Sequence, residues 1–151
     1  VRLGESLNFQ GHKIKLEQQG IVCNPSSDNE VLLQLYMLEG TSILEKIKGF
    51  FASARYDKQE KTLFIARDRM GVKPLWYYHS EHVLLFASEL RAMMKMNAPH
   101  ALDETSLYTF LQLNYIPGPQ SVFKEVKKLE PGHYLFINNN KVEKKYADMK
   151  L

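Results

Sequence analysis

The sequence predicts an α+β domain in which helices pack on antiparallel β-sheet. Three observations favour this class. Apolar residues recur at helical spacing before residue 48, they alternate along strands from residue 50 onward, and short polar turns separate the strands. Neighbouring strands joined by such short turns are antiparallel, because parallel neighbours need crossovers of about a dozen residues. We therefore expect one domain without a flexible linker.

Size and composition are those of an ordinary globular domain. The 151 residues contain 44% hydrophobic and 25% charged side chains, which argues against a disordered chain. The net charge of +3 comes from 20 basic and 17 acidic side chains that are scattered along the sequence. A surface that binds nucleic acid concentrates its positive charge, so nucleic acid is not an expected partner.

The sequence lacks the usual signals of export and membrane insertion. Cys23 is the single cysteine, which excludes an intramolecular disulfide and a multi-thiolate metal site. The longest apolar run, residues 83–87, is too short to span a membrane, and no basic-then-apolar leader opens the chain. We expect a cytoplasmic protein with no membrane partner. The chain begins with Val1 rather than Met, so we also expect a fragment.

Two helices are predicted in the first forty residues. Asn8 is placed to cap a helix that ends before Gly20. Ser27 and Glu30 form a capping box, in which the Ser27 hydroxyl accepts from the Glu30 amide and the Glu30 carboxylate reaches back. The helix behind this box has apolar residues at helical spacing, and Gly40 suits its end.

Shorter elements connect and follow these helices. An apolar strand is expected at residues 21–23, stopped by residues 24–26, and Thr41 or Ser42 is expected to cap a short helix closed by Gly49. The period then changes to two, which predicts a meander of four antiparallel strands. Those strands are expected at residues 50–57, 62–66, 75–78 and 83–87.

Two helices and a hairpin complete the prediction. Ser88 is expected to cap a helix that runs to Met94, and Asp103 to cap one over residues 104–113. Strands at residues 134–137 and 142–146 flank residues 138–140, whose three Asn side chains tolerate the positive φ of a hairpin turn.

Asp28 is the first candidate binding residue. It lies two residues from Glu30 at a predicted helix start, where carboxylates complement the helix dipole. Capping alone accounts for such a pair. The alternative is that the Asp28 carboxylate binds the ammonium group of a zwitterion.

Residues 67–74 form the densest charged stretch beside predicted buried strands. Arg67 and Asp68 suggest a buried or half-buried ion pair that organises a turn, with Gly71 supplying backbone freedom. A catalytic role for this pair is the alternative. We expect Arg67, Asp68 and Gly71 to be structural.

Cysteine and histidine offer little evidence of chemistry. Cys23 has no His or Asp beside it in an apolar segment, so it is expected to be a small buried hydrophobe rather than a nucleophile. The histidines show no metal-ligand spacing, and no metal site is expected. They are His12, His79, His82, His100 and His133.

Several longer motifs resemble one family. FFASARYD, LFIARDRMGVKPLWYY and FASELRAMM, followed in order by YIPGP and LEPGHY, are similar to the glutaminase domain of glutamine-hydrolysing asparagine synthetases. Ser27-Asp28-x-Glu30-Val31 resembles the Ser-Asp-x-Glu-Val helix start of this family. The resemblance runs from about residue 16 to residue 146.

This resemblance implies a fold and a reaction. The fold is the four-layer αββα sandwich of N-terminal-nucleophile hydrolases, here incomplete at its N-terminus. The reaction uses an N-terminal Cys thiolate that attacks the side-chain amide of glutamine, releases ammonia and leaves a thioester for water to hydrolyse. The α-amine of that Cys acts as base, since its ordinary pKa lies near neutrality. The resemblance also implies that Asp28 holds the α-amino group of glutamine.

The sequence departs from the family pattern at its start. Residue 1 is Val, so the nucleophile and a substrate-binding Arg are missing, and no catalytic residue is assigned in this chain. The stretch Leu3-Gly4-Glu5-Ser6-Leu7-Asn8 aligns with the family's Asn-Gly-Glu-Ile-Tyr-Asn loop, with Leu3 in place of the oxyanion-stabilising Asn. Loss of one such donor costs about 10²–10³ in rate. Gly4 and Glu5 are carried over as glutamine contacts.

The same stretch has a second interpretation. Glu5-Ser6-Leu7-Asn8-Phe9-Gln10-Gly11 also resembles the Glu-Asn-Leu-Tyr-Phe-Gln-Gly site of a tag-removal protease. Residues 1–12 are therefore either the remains of the Asn-Gly-Glu loop or a vector remnant. Residues 13–151 are expected to be the C-terminal part of the amidotransferase domain.

Two functions follow. The first is part of an asparagine synthase that supplies ammonia for ATP-dependent amidation of aspartate, inactive as this chain alone, with glutamine and the parent's synthetase domain as partners. ATP and Mg²⁺ belong to that synthetase domain, and no cofactor is expected in this one. The alternative is a non-catalytic amidotransferase-like interaction domain. The missing N-terminal strands are also expected to leave open sheet edges that favour a homo-oligomer.

Overall fold

The computed structural model describes residues 2–23, 27–138 and 141–146. The helices are α1 (Phe9–Gln18), α2 (Asp28–Glu39), α3 (Leu90–Lys95) and α4 (Glu104–Leu113), with a 3-10 helix over Gly40–Glu45. The strands are β1 (Arg2–Ser6), β2 (Gly49–Asp57), β3 (Thr62–Arg67), β4 (Trp76–His79), β5 (Leu84–Ala87), β6 (Lys127–Lys128), β7 (His133–Asn138) and β8 (Lys141–Tyr146).

The strands form two antiparallel sheets. A five-stranded sheet has the order β1-β2-β3-β7-β8, and a three-stranded sheet has the order β5-β4-β6. The predicted single meander is therefore wrong, because β2 and β3 belong to one sheet and β4 and β5 to the other. The segment between β3 and β4 is long enough to cross from sheet to sheet, and Leu75 at its end accepts a hydrogen bond from the Leu129 amide at 2.8 Å.

Three apolar clusters define the layers. The first lies between the helices and the five-stranded sheet, where Val31 and Leu35 of α2 pack with Phe64 of β3. The second lies between the two sheets and includes Ile65 and Leu135. The third covers the outer face of the three-stranded sheet, with Met93, Phe123 and Val126. The order helix, sheet, sheet, helix confirms the predicted four-layer αββα sandwich.

The predicted helix starts are partly correct. Ser27 caps α2 and its hydroxyl accepts from the Glu30 amide at 3.3 Å, and Asp103 caps α4 over the expected residues. Asn8 precedes α1, but its side chain makes no capping hydrogen bond with that helix. The residue before α3 is Glu89 rather than Ser88.

Other local predictions differ from the structure. Residues 21–23 are not a strand, because Ile21 turns back and donates to the Leu16 carbonyl at the end of α1. The segment after α2 is a 3-10 helix that starts at Gly40, and Ser42 donates to the Glu39 carbonyl instead of capping. The predicted stop at residues 24–26 lies outside the described residues.

The C-terminal hairpin is confirmed as an antiparallel pair. Asn138 of β7 is in register with Lys141 of β8, while Asn139 and Asn140 of its predicted turn lie outside the described residues. Within the described ranges, the structure contains no helix long and apolar enough to cross a membrane.

Candidate functional site

Strand β1 carries two of the predicted glutamine contacts at the edge of the five-stranded sheet. Gly4 is in register with Phe51 of β2, and Glu5 with Phe50. Gly4 has φ of +115°, and a Cβ at this position would lie 1.9 Å from the Phe50 carbonyl oxygen. Only glycine fits there, because any side chain would collide with the backbone of β2.

The residues after β1 attach this strand to the rest of the domain. Ser6 is buried. The Asn8 side chain accepts from the Lys48 amide at 2.9 Å and donates to the Lys46 carbonyl at 2.8 Å. These long-range bonds explain why Asn8 does not cap α1: its side chain connects β1 to the segment before β2.

Asp28 begins α2 and is half-buried. Its helix contacts β1, with Cα atoms of the two elements within 8 Å. The fold therefore brings the helix that starts at Asp28 next to the strand that carries Gly4 and Glu5. Glu5 itself is exposed, and the side chain of Leu3 lies outside the described residues.

The turn at residues 67–74 is organised by Asp68, which is 1% exposed. Its carboxylate accepts from the amide of Phe51 at 3.2 Å, of Met70 at 3.0 Å and of Val72 at 3.3 Å. The Asp68 amide in turn donates to the Phe51 carbonyl at 2.9 Å. A buried carboxylate thus satisfies the backbone of its own turn and connects it to β2.

Arg67 serves the same turn through backbone carbonyls. Its guanidinium donates to the carbonyls of Lys73 at 2.8 Å, Gly71 at 2.6 Å and Leu129 at 2.5 Å. Burial lowers the pKa of Arg67, and the negative charge of Asp68 acts in the opposite direction. Among the described residues no ion pair joins Arg67 to Asp68. The prediction of such a pair is therefore wrong, and each side chain forms hydrogen bonds with backbone groups instead.

Cys23 is 2% exposed and lies in the cluster between the helices and the five-stranded sheet. Burial raises the pKa of its thiol, and the negative charge of Glu30 acts in the same direction. A nucleophilic cysteine needs the opposite environment, one that favours the thiolate. Across the described part of the chain, no three His, Cys, Asp or Glu side chains are grouped to hold a metal ion.

A cavity of about 450 Å³ lies on the helical side of the five-stranded sheet, between α2, the 3-10 helix and β2. Its lining is mainly aliphatic and aromatic, and Arg55 and Tyr36 contribute to it. The predicted contacts Asp28, Gly4 and Glu5 do not line it. The amino-acid sequence carries no signal of this cavity, since the position of Arg55 in an alternating strand does not indicate that its side chain lines one.

Comparison with known proteins agrees with this geometry. The family model described as "Glutamine amidotransferase domain" matches residues 1–147. The chain belongs to the glutamine amidotransferase domain family. The match includes β1, α2 and the turn at residues 67–74, which are the elements that carry the predicted residues.

The curated relatives of this amidotransferase domain are longer proteins. The present chain is 33% identical over 134 residues to asparagine synthetase [glutamine-hydrolyzing] 1 of Bacillus subtilis, and the alignment covers 89% of this chain and 21% of that protein. It is 31% identical over 143 residues to the putative asparagine synthetase [glutamine-hydrolyzing] 2 of Methanocaldococcus jannaschii, covering 93% and 27% respectively. The resemblance to asparagine synthetases is confirmed, and the chain spans about a quarter of the length of these relatives.

Solved structures support the fold of the amidotransferase domain. Glutamine phosphoribosylpyrophosphate amidotransferase from B. subtilis, complexed with ADP and GMP, superposes with a TM-score of 0.72 at 23% identity, covering 100% of this chain and 29% of that one. At this level of identity the likeness concerns the layered fold. It agrees with the sandwich built from the three apolar clusters.

Proposed function

We propose that this domain is the glutamine-binding part of a glutamine-hydrolysing asparagine synthase, in which ammonia released from glutamine amidates aspartate. One observation carries the proposal: the family match extends over elements that the fold places side by side, β1 with Gly4 and Glu5 and α2 with Asp28. Two relatives that match about nine-tenths of this chain, at 33% and 31% identity, are asparagine synthetases, which supports the choice of acceptor.

Asp28 is proposed to hold the α-amino group of glutamine. Asp28 lies in the first turn of α2, where the positive end of the helix dipole stabilises a negatively charged carboxylate. A carboxylate that binds an ammonium group forms a charge-assisted hydrogen bond with it. Gly4 is proposed to present its backbone to the substrate without a side chain in the way. Glu5 follows it on the exposed edge of the sheet.

We propose that residues 1–12 belong to the natural domain and are the remains of the Asn-Gly-Glu loop. Support comes from the tight fit of Gly4 against Phe50, from the bonds of Asn8 to the segment before β2, and from a family match that begins at residue 1. A vector remnant has no reason to fit the sheet this closely.

The reactive thiol is proposed to lie outside this sequence, because Cys23 is the chain's single cysteine and is buried. The chain alone is then inactive. A synthetase domain of the parent protein would bind ATP and Mg²⁺ and use the ammonia, in the cytoplasm.

The same burial of Cys23 also favours the alternative, a non-catalytic interaction domain. A Cys after the initiator Met and a downstream Ser-Gly-Gly-x-Asp loop in the full-length gene would support the enzyme; a gene without both would support the alternative.

The experiment compares glutamine with glutaramate, which lacks the α-amino group, by titration calorimetry on the chain. We expect tighter binding of glutamine, and Asp28→Asn is expected to weaken it about tenfold, roughly 1.4 kcal/mol, while leaving glutaramate unchanged. Ammonia release from glutamine is expected to stay at background in the same samples.

Glu104→Gln is the matched control, since Glu104 is an acidic residue in the first turn of another helix. Its glutamine affinity should equal that of the parent chain. Equal binding of glutamine and glutaramate would contradict the role of Asp28, and turnover well above background would contradict the inactivity of the isolated chain.

A further inference from the structure

The cavity between α2, the 3-10 helix and β2 has one charged side chain among its described lining residues. Arg55 reaches it from β2, and its Nη1 atom is buried without a hydrogen-bond partner in the described part of the structure. Buried polar atoms in native proteins are nearly always hydrogen-bonded, and a guanidinium nitrogen can act only as a donor. Nη1 therefore lacks an acceptor among the described residues, and the Arg55 guanidinium is the charged group that a ligand in this cavity would meet.

The surroundings of Arg55 decide where such an acceptor lies. The guanidinium carbon stands 3.9 Å from the centroid of the Tyr36 ring, so one face of the group is covered by a cation–π contact. Its N–H groups point outward in the guanidinium plane. An acceptor must therefore approach at the edge of the group.

The neighbouring Asp57 carboxylate does not act as the acceptor for Arg55. Asp57 is close enough for its charge to interact with Arg55, but its carboxylate accepts from the amides of Gln59 at 2.9 Å and Glu60 at 3.0 Å. No ion pair joins Arg55 to an acidic side chain within the described ranges. Arg55 is thus a cation of the cavity wall that forms no ion pair with a described acidic side chain.

The rest of the cavity sets the chemistry of the occupant. Leu32, Ile43, Ile47 and Phe51 supply much of its wall, and a volume of about 450 Å³ is within the usual range for small-molecule sites. A single guanidinium carries one positive charge, which one negative charge on the occupant would balance. Its two parallel N–H groups can bind both oxygens of a carboxylate. The apolar wall suits an aliphatic or aromatic body.

We propose that this cavity binds a monocarboxylate with an apolar body, its carboxylate on Arg55 and its body against the side chains of α2 and the 3-10 helix. The site differs from the proposed glutamine site. Glutamine has a polar side chain, and Asp28, Gly4 and Glu5 do not line the cavity.

Octanoate and 1-octanol test the proposal, because they share an apolar chain and differ in the charged head. Calorimetric titration of the chain is expected to give saturable one-to-one binding of octanoate and binding of octanol at least about tenfold weaker. Arg55→Met keeps the length of the side chain and removes its charge. It is expected to reduce octanoate affinity to the level of octanol and to leave octanol unchanged.

Two further variants complete the design. Arg91→Met removes an exposed arginine from α3, remote from the cavity, and should retain full octanoate affinity. Leu33→Trp places a large ring at an exposed part of the cavity wall and should abolish binding of both probes; thermal unfolding checks that each variant is folded. Equal affinity for the two probes, equal behaviour of the two arginine variants, several octanoate molecules per chain, or no saturable binding would each overturn the proposal.

Discussion

Individual residues in the turn after β3 show how few side chains hold this fold together. Asp68 and Arg67 satisfy backbone amides and carbonyls from β2, from their own turn and from the segment before β7. Gly71 completes the turn with φ of +62°. A Cβ there would lie 2.7 Å from Cγ of Pro131 and 3.1 Å from Cζ of Arg67. Both the backbone conformation and the space exclude a side chain.

Gly71→Ala is expected to destabilise the domain by about 2–4 kcal/mol, because it adds a collision to a strained backbone conformation. Gly20→Ala is the matched control: Gly20 has φ of +81°, and a Cβ would meet no atom within 4 Å. It should cost only the strain, about 1–2 kcal/mol. Urea unfolding with linear extrapolation measures both. An equal loss of unfolding free energy in the two variants would contradict the predicted collision, because it would mean that Pro131 and Arg67 shift without an energetic cost.

Among the elements, α4 has the best-defined start. The Asp103 carboxylate accepts from the Ser106 amide at 3.3 Å and from the Ser106 hydroxyl. The hydroxyl hydrogen bond is the main reason that the pKa of Asp103 lies below its ordinary 3.8. A lowered folded-state pKa means that the charged form stabilises the fold. This contribution is complete above the ordinary value and disappears as the pH falls through the folded-state pKa.

Asp103→Asn keeps an acceptor at the cap but cannot ionise. The parent chain is therefore expected to be more stable than this variant at neutral pH, and the difference should shrink as the pH falls below about 3.8. Urea unfolding followed by circular dichroism across this range provides the comparison, with Glu104→Gln as the control for loss of charge in the same turn. A difference that stays constant down to the lowest pH would contradict the role of the carboxylate.

The strands show a limit of local analysis. The predicted bounds of β2, β3, β4 and β5 each lie within one residue of the observed ones. The sequence pattern did not show that β3 pairs with β7 while β4 pairs with β5 and β6. The period of a strand reports which residues share a face, and the choice of neighbour depends on contacts far away in sequence.

At the scale of the whole molecule, the sheets end in strands without a second neighbour in the described structure. These are β1 and β8 in the larger sheet and β5 and β6 in the smaller one. In addition, α4 exposes Tyr108 and Leu111 at 63% and 72% of their surface. Open edges and exposed apolar residues both favour association.

We predict that the isolated chain forms a dimer or a higher oligomer through these edges. Multi-angle light scattering over a range of protein concentrations measures the mass directly, with 17.5 kDa expected for the monomer. A mass that rises with concentration supports edge pairing. A monomer at every concentration would contradict it.

The sequence by itself determined the class of fold, the starts of α2 and α4, the antiparallel C-terminal hairpin and the family. These features depend on interactions within a few residues, such as caps and alternation, or on motifs that are contiguous in the chain. Only the tertiary structure decided how the strands divide into two sheets, that Arg67 and Asp68 bind backbone instead of each other, and that Arg55 lines a cavity. Each of those depends on which distant segment arrives at a residue, and burial by a distant segment leaves no local pattern in the sequence.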